Sequence, residues 1–276
     1  MAETALPRAA SVVLLRETPG RDEPSPFETY MLRRPDEARF APGAYIFPGG
    51  VLEEQDRACA AAIPALVDGP AGAALHARMA DPAAGPFASP DALTSAATFA
   101  CAARELFEEA GVLVARDRGG APVVMTDPAH WGRLREELLA GRLTFDRLLR
   151  EEGLVLSPDD LMLFSHWITP ERLPIRFDTW FFLATLPPGQ EAGHWEGEIA
   201  DGLWITPAEG LARHARGEFP MIPVQTRHLE RFAGFDSLGA LLDFARRKPV
   251  PAVLPAATPG SGGQEVALPE EIARCW

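Results

Sequence analysis

Arg104-Glu105-Leu106-Phe107-Glu108-Glu109-Ala110-Gly111-Val112 is the stretch on which the reading of this chain turns. It closes a segment, residues 95–110, whose apolar residues Phe99, Ala102, Ala103, Leu106 and Ala110 recur at helical spacing. Gly111 stands where a helix C-terminus favours glycine. On this helix Glu105, Glu108 and Glu109 fall at i, i+3 and i+4 and share one face. The arrangement is costly by itself. Like charges at this spacing repel by about 0.2–0.5 kcal/mol per pair. The C-terminal end of the helix dipole disfavours each exposed anion by a further ~0.3–1 kcal/mol. A cation held by all three carboxylates reverses the sign of both effects, and oxygen ligands suit Mg²⁺ or Mn²⁺. On this helix alone, a solvated acidic face explains the residues at least as well.

The balance shifts with Phe47-Pro48-Gly49-Gly50, which ends a short predicted strand, residues 44–47. Glycines there let backbone turn sharply or approach a phosphate. Together the two pieces resemble the signature of the Nudix family, G-x5-E-x7-R-E-U-x-E-E-x-G-U with U apolar. The helical half agrees at Arg104, Glu105, Leu106, Glu108, Glu109, Gly111 and Val112, and the glycine half at Gly49-Gly50. One departure stands out. The signature puts its arginine 14 residues after the glycine, whereas Arg104 lies 54 after Gly50, an insertion of 54 − 14 = 40 residues. The glutamate specified between them is missing. Its place is Asp56 counted from Gly50 and Ala96 counted back from Arg104, so Glu53 and Asp56 both stay open as further oxygen ligands. An insertion at this point, and an Arg-Phe-Asp-Thr string before an aromatic strand (here Arg176-Phe177-Asp178-Thr179-Trp180-Phe181-Phe182), is similar to the Nudix branch that contains the peroxisomal acyl-CoA diphosphatase of mammals. The resemblance covers about residues 10–235.

The resemblance implies an α/β (α+β) fold, a Nudix-type α/β/α sandwich with a mixed β-sheet, a helical insertion and C-terminal helices. It implies metal-dependent hydrolysis of a diphosphate bond in a nucleoside-diphosphate-linked small molecule, with CoA or an acyl-CoA foremost. A pyrophosphatase for ADP-ribose or a dinucleotide, and a catalytically silent nucleotide-binding domain, are the alternatives. By analogy Glu105, Glu108 and Glu109 hold Mg²⁺ or Mn²⁺ and Arg104 orients them. The general base is expected in the acidic loop ahead of Leu203-Trp204-Ile205, with Glu198 before Glu196. Gly49, Gly50, Arg33, Arg34 and Arg176 are expected to meet the substrate; the guanidinium forks of Arg33 and Arg34, at the end of an early strand, suit a phosphate.

Composition agrees with that chemistry. The chain has 276 residues, 47% hydrophobic and 24% charged, enough for one large core or for one core plus a small appendage. Its net charge of −13 argues against nucleic acid or an anionic membrane as partner, so an anionic substrate needs a local cation. Cys59, Cys101 and Cys275 are sparse and unpaired in spacing, which fits a reducing compartment and no zinc site. The apolar run at residues 9–15 is too short for a signal peptide or a membrane span, so a cytoplasmic location is expected. Of 26 basic residues only Lys248 is lysine, a bias read as that of a GC-rich bacterial genome. His166 and His228 have no ligand-spaced companion and are expected to be structural.

Further strands are expected at residues 12–16, 27–33, 112–114, 161–168, 177–186 and 202–205. Further helices are expected at 128–139, 145–152, 207–216 with Thr206 as N-cap, 223–232 and 237–246. Residues 1–249 are expected to form one domain and 250–276 a Pro/Gly-rich tail. The insertion, about residues 56–93, is Ala-, Pro- and Gly-rich with Leu66, Leu75 and Met79 as its large apolar residues. It is expected to lie outside the core as a flap at the substrate entrance or as a homodimer contact.

Overall fold

Seven consecutive buried residues, 9–15, make the first strand, β1 (Arg8–Glu17), and a strand buried on both faces belongs between two helical layers. The computed structural model describes residues 6–18, 26–80, 89–193, 201–257, 266–268, 270–273 and 276. In chain order β1 is followed by β2 (Phe27–Arg33), β3 (Tyr45–Ile46) and β4 (Gly49–Val51). Helices α1 (Glu54–Ala62), α2 (Pro64–Val67), α3 (Pro70–Met79) and α4 (Ala92–Ala110) come next. A small hairpin of β5 (Arg116–Asp117) and β6 (Leu154–Val155) encloses α5 (Pro128–Leu139) and α6 (Phe145–Glu151). Then come β7 (Met162–Ile168), β8 (Asp178–Thr185), β9 (Asp201–Ile205), α7 (Pro207–Ala215), α8 (Pro223–Phe232), α9 (Leu238–Arg247) and β10 (Ala252–Val253).

The mixed sheet runs β10-β7-β8-β1-β2-β3, with β4 on β1 and β9 on β2. β1 pairs in parallel with β8 over residues 8–15. On its other side β1 changes partner: residues 9–11 pair with β4 and residues 15–17 with β2. At the branch Val12 N donates to Pro48 O at 2.8 Å. This splaying opens one end of the sheet and brings Gly49-Gly50 to the edge of the opening. Val12, Leu14, Trp180 and Phe182 face α4 on one side, and Val13, Leu15, Phe164 and Phe181 face α8 and α9 on the other. The layers are the expected α/β/α sandwich. Among the described residues no helix is long and apolar enough to cross a membrane.

Three expectations need correction. Residues 112–114 are apolar but form no strand; the backbone N–H and C=O of Leu113 pair instead with the Gln190 side chain, at 2.9 Å each. An amide side chain offers one acceptor and two donors, so it can stand in for a ladder neighbour. The insertion is not an outlying flap. Cys59, Ala60, Leu66, Leu75 and Met79 belong to the same core as Ala96, Ala97, Phe99 and Ala100 of α4. Alanine-rich faces let helices approach closely, so few large side chains suffice. The segment expected to be a tail contributes β10, whose Val253 is buried, and Trp276, which packs on Trp167 at a centroid distance of 5.0 Å. In front of it Lys248, the single lysine, donates to Phe164 O at 2.7 Å and lies over the Phe164 ring.

Arg78, from α3, ties the insertion to the far layer by donating to Leu163 O at 3.0 Å and Ala245 O at 2.8 Å. Burial lowers its pKa, so this charge is held out of water against a dielectric penalty. Replacing Arg78 with Met should destabilise the protein by about 2–4 kcal/mol, because a charged donor is lost and buried carbonyls are left unsatisfied. Urea denaturation followed by circular dichroism reads this directly; a midpoint unchanged from wild type would show that the insertion is not tied to the core.

Candidate active site

Helix α4 begins at Asp91, whose side chain accepts from Thr94 N at 2.7 Å, and ends at Gly111 in the left-handed conformation, φ +69°. Between these caps the apolar stripe packs on the sheet and leaves the glutamate face turned along its edge. Arg104 lies beneath that face, 2% exposed. Its Nε donates to Asp56 Oδ1 at 2.7 Å and its Nη2 to Asp56 Oδ2 at 3.0 Å, a two-pronged pair with a fully buried carboxylate. Its Nη1 reaches Glu105 Oε1 at 2.8 Å and Glu108 Oε2 at 2.9 Å. Asp56 therefore stands on the arginine, at the position counted forward from Gly50. It also accepts from Glu53 N at 2.8 Å, closing the first turn of α1.

Strand β4 lies against the same face. Gly49 N donates to Glu109 Oε2 at 2.7 Å. A Cβ on Gly50 would collide with the carboxylate of Glu105, and one on Gly49 with the backbone of Ala10 and Ser11. The two motif halves thus meet, with close approach of backbone to carboxylate as the reason for glycine.

Arg135 of α5 closes the C-terminal end of the cluster. Its Nε donates to Glu108 O at 2.8 Å and its Nη1 to Gly193 O at 3.1 Å. Gly193 N in turn donates to Ala110 O at 2.9 Å, so the residue preceding the acidic loop is fastened to the end of α4. Burial pulls the Arg135 pKa down to about 10, opposed by Tyr30, Glu109 and Glu108. Glu196 and Glu198 lie outside the described residues.

The remaining expected residues divide. Arg34 lines a 580 Å³ cleft together with Gly49 and Gly50. Arg33 is turned away, its Nη2 on Asp36 Oδ1 at 2.7 Å. Arg176 donates through Nε to Thr169 O at 3.0 Å, pinning the 169–177 connection and not lining the cleft. Asp178, of the same string, accepts from Arg8 and pairs with His166, which stacks on Trp180. His228 is fully buried, its Nδ1 on Val224 O at 2.7 Å, and desolvation lowers its pKa to about 3. Both histidines are structural.

The family model for the NUDT19 Nudix domain matches residues 6–232. The chain belongs to the NUDT19 Nudix domain family. It is 31% identical over 273 residues to the acyl-coenzyme A diphosphatase NUDT19 of Gallus gallus, an alignment covering 86% of this chain and 70% of that protein. It is 32% identical over 269 residues to the Homo sapiens protein of the same name, covering 86% and 71%. The crystal structure of a NUDIX hydrolase from Alicyclobacillus acidocaldarius shares the fold, with a TM-score of 0.66 at 24% identity over 88% of this chain and 97% of that one.

As a Nudix hydrolase the chain is expected to use a divalent metal, as the family generally does, and its donor set fits one in charge and chemistry. Three carboxylates, Asp56, Glu105 and Glu108, pair with the guanidinium of Arg104, and a fourth, Glu109, accepts from Gly49 N. Burial drives the Glu105 carboxyl well above its ordinary range, with Arg104 opposing and Glu109 and Glu108 adding repulsion. Glu108 is raised for the same leading reason, again with Arg104 opposing. Hard oxygen donors carrying uncompensated negative charge are what a divalent cation requires. The carboxylates do not yet converge: no group of three or more His, Cys, Asp or Glu among the described residues is set to hold a cation.

Sequence reasoning missed Arg135 and Gln190, which sit on ordinary-looking segments and act only through backbone carbonyls and amides far along the chain. Asp56 was open to view, since it falls at the glutamate position of the signature. Arg104→Met should cost about 3–5 kcal/mol, because it strands buried Asp56 beside Glu105 and Glu108 without a countercharge. Chemical denaturation in the absence of divalent metal is the check, and a loss below about 1 kcal/mol, the range of exposed ion pairs, would contradict the buried pairing.

Proposed function

We propose that this chain is an acyl-CoA diphosphatase that, with Mg²⁺, hydrolyses the diphosphate of CoA or an acyl-CoA to a phosphopantetheine product and a 3′,5′-adenosine diphosphate. The observation that carries the reading is the joining of Glu105, Glu108 and Glu109 to Gly49-Gly50, in a chain whose chicken and human relatives bear that activity in their names.

A bound divalent cation supplies an acidified water and neutralises charge on the phosphoryl oxygens. Glu105, Glu108 and Glu109 would hold it. Arg104 pairs with Glu105 and Glu108, and the Gly49 N–H with Glu109; these contacts keep the three carboxylates on one side of the site, and a cation would draw their oxygens together. Gly50, lacking a Cβ, lets the chain run directly against the Glu105 carboxylate. Glu198 is the residue proposed to take the proton of the attacking water. What supports it is the anchorage of the preceding Gly193 to Ala110 O and Arg135.

Glu108→Gln and Glu109→Gln should each lower kcat by about two orders of magnitude or more, since a ligand charge is lost while a hydrogen-bonding group of the same shape stays. Thermal stability without metal should hold or rise, because repulsion is relieved. Added Mg²⁺ should raise the melting temperature of the wild type more than that of either variant. The assay is a panel of octanoyl-CoA, CoA, ADP-ribose and a diadenosine polyphosphate. Wild-type turnover in both variants, or preference for ADP-ribose over both CoA substrates, would overturn the assignment.

A further inference from the structure

The 580 Å³ cleft beside Gly49 and Gly50 is of the size that encloses a small organic ligand. Its wall is mostly aliphatic and aromatic, with Ile46, Ile168, Ile175, Phe40 and Phe177 among the lining residues. Phe40 and Phe177 meet edge to face at 5.4 Å and join two loops across it. In a protein of net charge −13, the charged residues among those lining it are Arg34, Arg39 and Arg172, all cations. An anion with a long apolar body matches that wall. Ala41 of one loop takes φ +49°, a conformation that costs a non-glycine residue energy and is retained where a loop's shape is used.

Two polar side chains among the lining residues narrow the choice. Gln225 is 4% exposed and Trp167 5% exposed, and both line the cleft. Gln225 Oε1 and Trp167 Nε1 have no hydrogen-bond partner among the described residues. Arg34 Nε is likewise without a partner among the described residues and belongs with the cations of the wall, whereas Ser11 Oγ donates to Pro48 O at 3.0 Å and Thr169 Oγ1 accepts from Phe177 N at 3.1 Å. A buried acceptor and a buried donor without partners cost about 1–3 kcal/mol each, and a ligand that supplies both an N–H and a C=O recovers that loss. The amide is the group that carries the two side by side.

On the acyl-CoA reading above, the substrate has such a group: the pantetheine arm joins the diphosphate to the thioester through two amides. We propose that this cleft holds the acyl-pantetheine arm, an arm N–H donating to Gln225 Oε1 and an arm carbonyl accepting from Trp167 Nε1. The acyl chain lies along the aliphatic wall, and the arginines face the phosphates. Gly49 and Gly50 belong to both the cleft and the carboxylate cluster, so an arm seated here ends beside Glu105 and Glu109.

The test is calorimetric titration of the full chain with S-octanoyl-pantetheine, and separately with adenosine 3′,5′-diphosphate, in the wild type, Gln225→Leu and Trp167→Phe. S-octanoyl-pantetheine should bind the wild type and bind each variant about three- to tenfold more weakly, the size of one neutral hydrogen bond. The weakening should not extend to adenosine 3′,5′-diphosphate. Absence of S-octanoyl-pantetheine binding to the wild type, equal binding by both variants, or weakening confined to the adenosine probe would each overturn the proposal. Trp167→Phe keeps a ring against Trp276, so it decides the matter if Gln225→Leu does not fold. Turnover assayed alongside separates the two readings. A wild type that cleaves ADP-ribose but no CoA substrate defeats the substrate reading. Octanoyl-CoA turnover with undiminished S-octanoyl-pantetheine binding in the variants defeats the cleft alone.

Discussion

Arg104 and Asp56, two opposite charges buried together at 2.7 and 3.0 Å, hold apart or together nearly everything at the candidate site. A buried ion pair is weak evidence for net stability, since desolvation offsets much of the attraction. Its force is geometric. Buried Arg104 meets a carboxylate at each of its side-chain nitrogens, and Asp56, in the first turn of α1, both accepts from the Glu53 N–H and meets the guanidinium. The pair therefore fixes where the insertion leaves the sheet, how α1 lies on α4, and which way Glu105 and Glu108 point.

The same pair explains how the signature tolerates 40 extra residues. The count from Gly50 to the carboxylate is kept, and the count from the carboxylate to the arginine is released. Extra chain enters after Asp56, on the far side of the contact that matters. Loop closure grows only logarithmically with length, so the added entropy cost is small, and the α1–α3 helices offset it by burying Cys59, Leu66 and Met79 against α4.

Much of this was legible in the chain. The apolar stripe of α4 and its terminal glycine gave the helix, and 223–232 and 128–139 matched α8 and α5 residue for residue, because proline at the first turn marks a helix start sharply. The failures have physical causes. Residues 112–114 have strand composition, but composition says nothing about which donor satisfies a backbone, and here it is Gln190. The insertion looked too poor in large apolar residues to join a core. Counting side-chain size misses how small residues allow close helix packing, as at Ala60 against α4. Arg33 and Arg176 carried the right charge for a phosphate, yet nearer partners, Asp36 and the Thr169 carbonyl, took them. Gln225 and Trp167 gave no signal at all, since an unused hydrogen bond is visible only once every neighbour is in place.

Lys248 has a consequence of another kind. It is the single lysine of the chain, 6% exposed, with its ammonium on Phe164 O and under the rings of Phe164 and Trp276. The positive charge on the surface is therefore guanidinium almost throughout. Acetylation, ubiquitin attachment and amine-directed cross-linkers find no accessible side-chain amine on this fold, and arginine-directed reagents such as dicarbonyls become the natural probes of its cationic surface.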